Sequence, residues 1–173
     1  MSSAPAEPRS VENVRAALTR LGVPGVARIT HIPDGARTAA EAAAALGVEV
    51  GAIANSLVFV ADGAPLLVMT SGGHRVDTAA LAARIGVGAI ERATPEIVRA
   101  ATGQAIGGVA PVGHPAPLRT LVDPVLATYD EIWAAAGHSH AVFPLTADEL
   151  VRITGGTVVA VDVIPVPRST RRL

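Results

Sequence analysis

The stretch IANSLVFVADGAPLLVMT, residues 53–70, reads as two β-rich runs joined around Asp62-Gly63, and it decides the fold class. Ile53–Val60 and Leu66–Thr70 are rich in branched side chains, and Asp-Gly between such runs signals a hairpin. Pro65 implies that the second run starts late or lies at an edge, because proline cannot donate to a ladder. Working outward, Thr38 and Glu41 form a capping-box pattern ahead of AAAAL with Gly47 as the stop, which predicts a helix. Ser10 can cap an earlier helix ending near Leu21 and Gly22, followed by a short strand over 26–32. Asp77 and Thr94-Pro95 open two more helices, ending near Ile85 and Ala101. Thr120–Asp123 is a short strand. Glu131–Ala136 and His140–Leu145 pair as a hairpin about Gly137, although the alanines of WAAAG also suit a helix. Thr146 and Glu149 repeat the capping box for a helix to about Ile153, and Thr157–Val163 closes as a strand. Mixed helices and hairpins without repeats predict a single α/β (mixed α+β) domain around a mixed sheet. Its expected extent is 10–163, between a flexible N-terminal tail, 1–9, and a basic C-terminal tail, 164–173, carrying Arg168, Arg171 and Arg172.

Composition removes much of the available chemistry. The 173 residues suit one domain with a substantial core. There is no cysteine, so thiol nucleophiles, disulfides and cysteine-ligated metal sites are excluded. All 14 basic residues are arginine, which excludes a Walker A lysine, a Schiff base and a serine–lysine pair. Aromatics make up only 2%, too few to build stacking platforms for single-stranded nucleic acid. A net charge of −1 offers no general attraction for a phosphate backbone, so any nucleic-acid contact is expected to be local. No signal-peptide or membrane-spanning run is visible, so a cytoplasmic protein with no membrane partner is expected.

Residues 102–117, TGQAIGGVAPVGHPAP, carry few reactive side chains and read as a backbone cradle. Glycine lets a ligand approach the main chain closely, and proline fixes φ and supplies carbonyls without donors. An ordinary surface loop has the same composition.

The order IANSLVFV (53–60), SGGHRVD (71–77), TGQAIGGVAPVGH (102–114), Asp123 and TGG (154–156) resembles the YbaK/ProX family of aminoacyl-tRNA deacylases. That family is related to the editing domain inserted in bacterial prolyl-tRNA synthetases. The resemblance spans about Val11 to Val163 and implies a barrel-like mixed sheet flanked by helices. It further implies metal-free hydrolysis, in trans, of the ester joining a small wrong amino acid to the end of a tRNA, with tRNA for proline the expected one. The implied partners are a mischarged tRNA acceptor end and an aminoacyl-tRNA synthetase, with no cofactor. The family's GxxxP motif matches Gly107 to Pro111, whose backbone by resemblance holds the ester carbonyl and terminal ribose. Asp123 matches an acidic position near the site, although an Asp before Pro124 also reads as a helix cap. Asn55 stands where relatives place a lysine, and Ala110 where they often carry serine. Gly107, Gly108, Asn55 and Asp123 are therefore the expected catalytic positions. His31, Ser71, Gly72, Arg75, Ile106, Ala110, Pro111, Gly113 and His114 are the expected substrate-binding ones.

Histidines offer compensation for the lost lysine. His114, directly after the loop, could donate or act as a base, and His31 could line the same pocket. His138 and His140 have a spacing that can chelate metal, but without nearby acids they make a weak site, so no metal is expected. Two readings stand at this point: a trans-editing deacylase, slowed by the neutral Asn55, or a binding module for an aminoacyl-adenosine end with little hydrolysis.

Overall fold

The 53–70 hairpin forms as read and lies at the centre of an eight-stranded sheet in the computed structural model, which describes residues 6–33 and 35–162. Its strands are β2 (Ile53–Ala61) and β3 (Ala64–Ser71), paired antiparallel from Ala54↔Ser71 to Ala61↔Ala64. Asp62 and Gly63 both take positive φ, 47° and 83°, as a two-residue turn matched to strand twist requires. Pro65 is tolerated in a central strand because the next neighbour, β5 (Arg119–Val122), begins pairing only at Leu66.

Before the hairpin come α1 (Arg9–Arg20), β1 (Thr30–His31) and α2 (Ala39–Leu46); after it come α3 (Thr78–Ile85), β4 (Ile90–Arg92) and α4 (Pro95–Thr102). Beyond β5 follow β6 (Ile132–His138), β7 (Ala141–Leu145), α5 (Ala147–Thr154) and β8 (Thr157–Val158). The strand order is β1-β7-β6-β2-β3-β5-β8, with β4 also pairing β2. Pairs β2–β6, β3–β5 and β5–β8 are parallel and the rest antiparallel, so the sheet is mixed. It remains open: β1 and β8 lie at its two ends and do not pair among the described residues. No described helix is long and apolar enough to cross a membrane.

Both faces of the sheet are covered. Leu67 and Met69 turn to one face with Val11, Val14 and Leu18 of α1, Val98 of α4 and Leu150 of α5. Leu66 and Val68 turn to the other, with Leu81 and Ala82 of α3. A third cluster on this second face joins Ile53 and Trp133 to Ala42 and Ala43 of α2. Leu66, Leu67, Val68 and Met69 are all fully buried, and each such side chain contributes about 1.5–3 kcal/mol. Asn55 lies on the face shared by α2 and α3, on the strand between their two clusters.

Several local expectations change. Ser10 sits inside α1, which starts after Pro8 and has no side-chain cap; Val11 and Glu12 donate to the Pro8 carbonyl instead. Residues 24–28 form a 3-10 turn, leaving only Thr30–His31 of the expected first strand. WAAAG is strand because its alternating side chains are buried between layers, which outweighs alanine's helix preference. The closing strand is cut to Thr157–Val158, and β4 was unread because three residues carry no period. The capping boxes are better matched: Thr146 and Glu149 exchange both hydrogen bonds, whereas Glu41 reaches the Arg37 amide rather than that of Thr38. The tail at 164–173 lies outside the described residues, and at the other end the helix has already begun at Arg9.

Candidate active site

Strand β2 divides one edge between two partners, and the division makes a cavity. Its first residues pair with β6 only at Ile53↔Trp133 and Ala54↔Ala134, and its last three pair with β4. Gly72 donates to the Ile53 carbonyl, so the antiparallel alternation turns the peptide groups of Ala54, Ser56 and Val58 to the edge away from β3. Val58 accepts from Ala93 and Ala54 pairs with β6, which leaves Ser56 facing a gap. The loop after α4 covers that gap.

The cavity measures about 150 Å³ and is walled by Asn55, Ser56, Gly107, Val109, Trp133 and His138, with Arg37, Thr38 and Ala39 at the start of α2. Ala42, Ile53, Ala134 and Val142 supply apolar wall. It is small beside the roughly 300–1,000 Å³ pockets of drug-sized ligands, and suits a small acyl group better than a whole nucleotide. A second cavity of about 140 Å³ adjoins it, sharing Ser56, Gly107 and Val109 and adding Phe59, Arg92 and Ile106.

The loop is held by its own side chains. Buried Gln104 accepts from the Ala110 amide at 2.7 Å and donates to the Val112 carbonyl at 3.0 Å, while Thr102 binds the Gln104 main chain. Gly108 donates to the Ala105 carbonyl at 3.2 Å, closing a turn. The amides of Gly107 and Val109, by contrast, donate no hydrogen bond among the described residues, although Val109 is 3% exposed. Gly107 sits at φ +91° with open space where a Cβ would be. At Gly108 a Cβ would lie 2.6 Å from the His138 main chain, so its glycine is required by the close approach of loop to strand.

Four expected positions thus converge: Gly107 and Asn55 on one cavity, Gly108 directly behind it, and Ile106, 64% exposed, on the adjoining cavity. The others lie elsewhere. Asp123 is 1% exposed and does not line the cavity; it caps the 3-10 turn Pro124–Thr128 through Val125 and accepts from the Ser71 amide at 3.1 Å. His74 Nδ1 is 2.8 Å from the same carboxylate, and the Thr70 hydroxyl donates to it at 3.4 Å. Ser71 donates to the Gly51 carbonyl, and Gly72 packs against the Val50 carbonyl and Ala39. Arg75 is exposed and lines none of these cavities, and its neighbour Asp77 caps α3.

Ala110 is fully buried with both main-chain groups occupied, the carbonyl by His114 Nε2 at 2.8 Å. Pro111, Gly113 and His114 line a separate cavity against α1 and Ile153. Burial there draws the His114 pKa below its ordinary 6.5, against the opposing pull of the Ala110 carbonyl, which favours a neutral ring donating from Nε2. His31 belongs to yet another cavity, stacked on His140 at 5.6 Å, and meets the candidate site only through their neighbour His138. Among the described residues no group of three His, Cys, Asp or Glu is placed to hold a metal.

Residue-level reading missed Arg37, Trp133 and His138 on the wall. The His138 Nδ1 accepts from the His140 amide, which puts the proton of a neutral ring on Nε2 and makes it a donor rather than a base. Trp133 carries Arg28 over its ring, a guanidinium that also pairs with Glu131. Its being the chain's single tryptophan was the available signal.

An open mixed sheet covered on both faces, with a small cavity where one edge of β2 is divided between β6 and β4, defines a mixed α/β domain. Residues 33–153 match the family model described as the aminoacyl-tRNA editing domain, and the chain belongs to that family. It is 34% identical over 115 residues to a proline–tRNA ligase of Nitratidesulfovibrio vulgaris (strain DP4), an alignment covering 66% of this chain and 20% of the ligase. The chain thus spans about a fifth of the length of that relative. An uncharacterised protein, YwhH, of Bacillus subtilis (strain 168) is 28% identical over 123 residues, covering 70% of this chain and 78% of that one. Among solved structures, one described as "a putative trans-editing enzyme for prolyl tRNA synthetase" superposes with a TM-score of 0.81 at 40% identity, covering 92% of this chain and all of the other.

Proposed function

We propose that this chain is a metal-free trans-editing deacylase that hydrolyses the ester between a small mischarged amino acid and the terminal adenosine of a tRNA, tRNA for proline in particular, in the cytoplasm. The observation that carries this reading is the pair of amides, Gly107 and Val109, that donate no hydrogen bond among the described residues, beside a cavity of about 150 Å³ with apolar walls. Water adds to the ester carbonyl, whose oxygen becomes an oxyanion; amide donors held rigidly where that charge develops lower the barrier. The C–O bond to the ribose then breaks, one proton of the attacking water ends on the ribose oxygen, the other passes to solvent, and the amino acid leaves as its carboxylate. Gln104 and the Ala105–Gly108 turn keep the amides fixed, so little reorganisation is needed. Trp133, Ile53 and Val142 limit the side chain that fits, and the proline-ligase relatives support tRNA for proline as the substrate.

Neutral Asn55 favours one competing reading, a module that binds the aminoacyl end and turns it over slowly. Single-turnover deacylation of alanyl- and cysteinyl-tRNA, with and without exhaustive chelation, separates the two. Hydrolysis well above the spontaneous rate and unchanged by chelator is expected. Tight binding without hydrolysis would establish the binding module, and loss of activity on chelation would overturn the metal-free mechanism.

A further inference from the structure

We infer that Arg37 holds the phosphodiester leading into the terminal adenosine, supplying from the turn ahead of α2 the positive charge that Asn55 does not bring from β2. The inference rests on the editing reading above. Among the described residues walling the cavity Arg37 is the only one with a fixed charge, none carries a carboxylate, and His138 is the only other titratable group. Its side chain is exposed and makes no hydrogen bond or ion pair among the described residues; only its main-chain amide is engaged, with the Glu41 carboxylate at 2.8 Å. Arg37 and Asn55 belong to different elements but wall one cavity, so a cation at either can act on the same ligand.

Substrate chemistry identifies the bound group. An aminoacyl ester has no free carboxylate, and its α-ammonium group is repelled by a guanidinium. The phosphodiester is then the anion this end of the molecule offers, and a planar guanidinium can grip two of its oxygens at once. Because the phosphate is unchanged by the reaction, the contact binds ground state and transition state alike, and its loss falls on KM rather than kcat.

The test uses the full chain and two readouts. One is the affinity for an uncharged RNA hairpin ending in single-stranded CCA, across a salt series; the other is deacylation kinetics. Arg37→Ala is expected to weaken RNA binding about tenfold, the order of one charge-assisted contact. The slope of log K against log salt should fall by about 0.7, one single-strand phosphate. KM should rise in step with kcat nearly constant, Arg37→Lys should recover much of the binding, and Arg119→Ala, on the exposed start of β5, should match wild type. Unchanged affinity and salt slope in Arg37→Ala would overturn the assignment, as would a fall in kcat at constant KM. The RNA arm reads Arg37 even if wild type proves to be a binder without turnover. Fast wild-type turnover with an indifferent Arg37→Ala would remove this assignment alone.

Discussion

The candidate cavity and the cluster around Asp123 contain comparable polar chemistry and differ in how much of it is already used. At Asp123 a buried carboxylate receives the Ser71 and Val125 amides and the Thr70 hydroxyl and sits 2.8 Å from His74, whose Nε2 lies 3.5 Å from Asp162. Every group there has a protein partner, as burial demands. At the cavity the Gly107 and Val109 amides donate no hydrogen bond among the described residues, and Asn55 is exposed on its wall. Polar groups already satisfied by the protein hold its shape, and those left unsatisfied beside a cavity are available to a ligand. A carboxylate next to a histidine looks more like machinery than a glycine does, and here the glycine is the better candidate.

The largest effect should come from Gly108→Val. Its side chain would collide with the His138–Ser139 main chain, which cannot move without shifting the turn between β6 and β7. Deacylation should be abolished and stability should fall by about 3 kcal/mol, at the upper end for overpacking, as read by urea denaturation. Gly107→Ala is the sharper companion: no clash awaits it, so only the positive φ is penalised, by about 1 kcal/mol. Wild-type turnover by a folded Gly108→Val protein would break the cradle assignment.

Asp123→Ala should invert that pattern. Leaving the Ser71 and Val125 amides without their buried acceptor should cost about 2–4 kcal/mol of stability, while kcat of the folded protein stays within about threefold of wild type. A loss of several orders in kcat at wild-type stability would return Asp123 to the catalytic list.

Asn55→Lys tests the open side of the comparison. A cation on the cavity wall should raise deacylation by roughly tenfold or more, with the gain shrinking as salt is added if phosphate attraction is its source. A slower Asn55→Lys protein would show a site rebuilt around the amide.

The smallest effect concerns His114. Its pKa is lowered on folding, so the unfolded chain binds the proton more readily and folding is favoured at pH above the ordinary 6.5. That contribution should be lost as pH falls below 6.5 toward the depressed folded value, and His114→Gln should flatten the stability profile between pH 5 and 7. The pH dependence of kcat should be the same in both proteins, because His114 lines a different cavity. A changed kcat profile would bring His114 back into the site.

Part of the candidate cavity wall is legible in one dimension and part is not. Gly107, Gly108 and Asn55 could be singled out because their motifs are local and match a family pattern. Asp123 carries both readings in the sequence, and the structure shows the Asp-Pro cap, with the 3-10 turn and the end of β3 closing around its carboxylate. His31, Ser71, Gly72, Arg75 and the second half of the loop were assigned to the site by their place in the same motif order. The structure places these residues apart from the cavity that holds Asn55 and Gly107: Pro111 to Pro117 line a separate one with Ala17 and Arg20 of α1.

What the sequence by itself determined is the set of elements and the chemistry that is absent. Capping residues, the Asp62-Gly63 turn and β-rich runs act within a few residues, so propensity and pattern suffice to place them, and the lack of cysteine and lysine needs no structure. What only the tertiary structure decided is which distant segments share a surface. The cavity exists because β2 leaves β6 after Ala54 and meets β4 only at Phe59, with the 105–109 turn and the start of α2 closing over the gap. Strand order and close packing fix that arrangement through long-range contacts, and these bring Arg37, Asn55, Gly107 and Trp133 together from four parts of the chain with no trace in local periodicity.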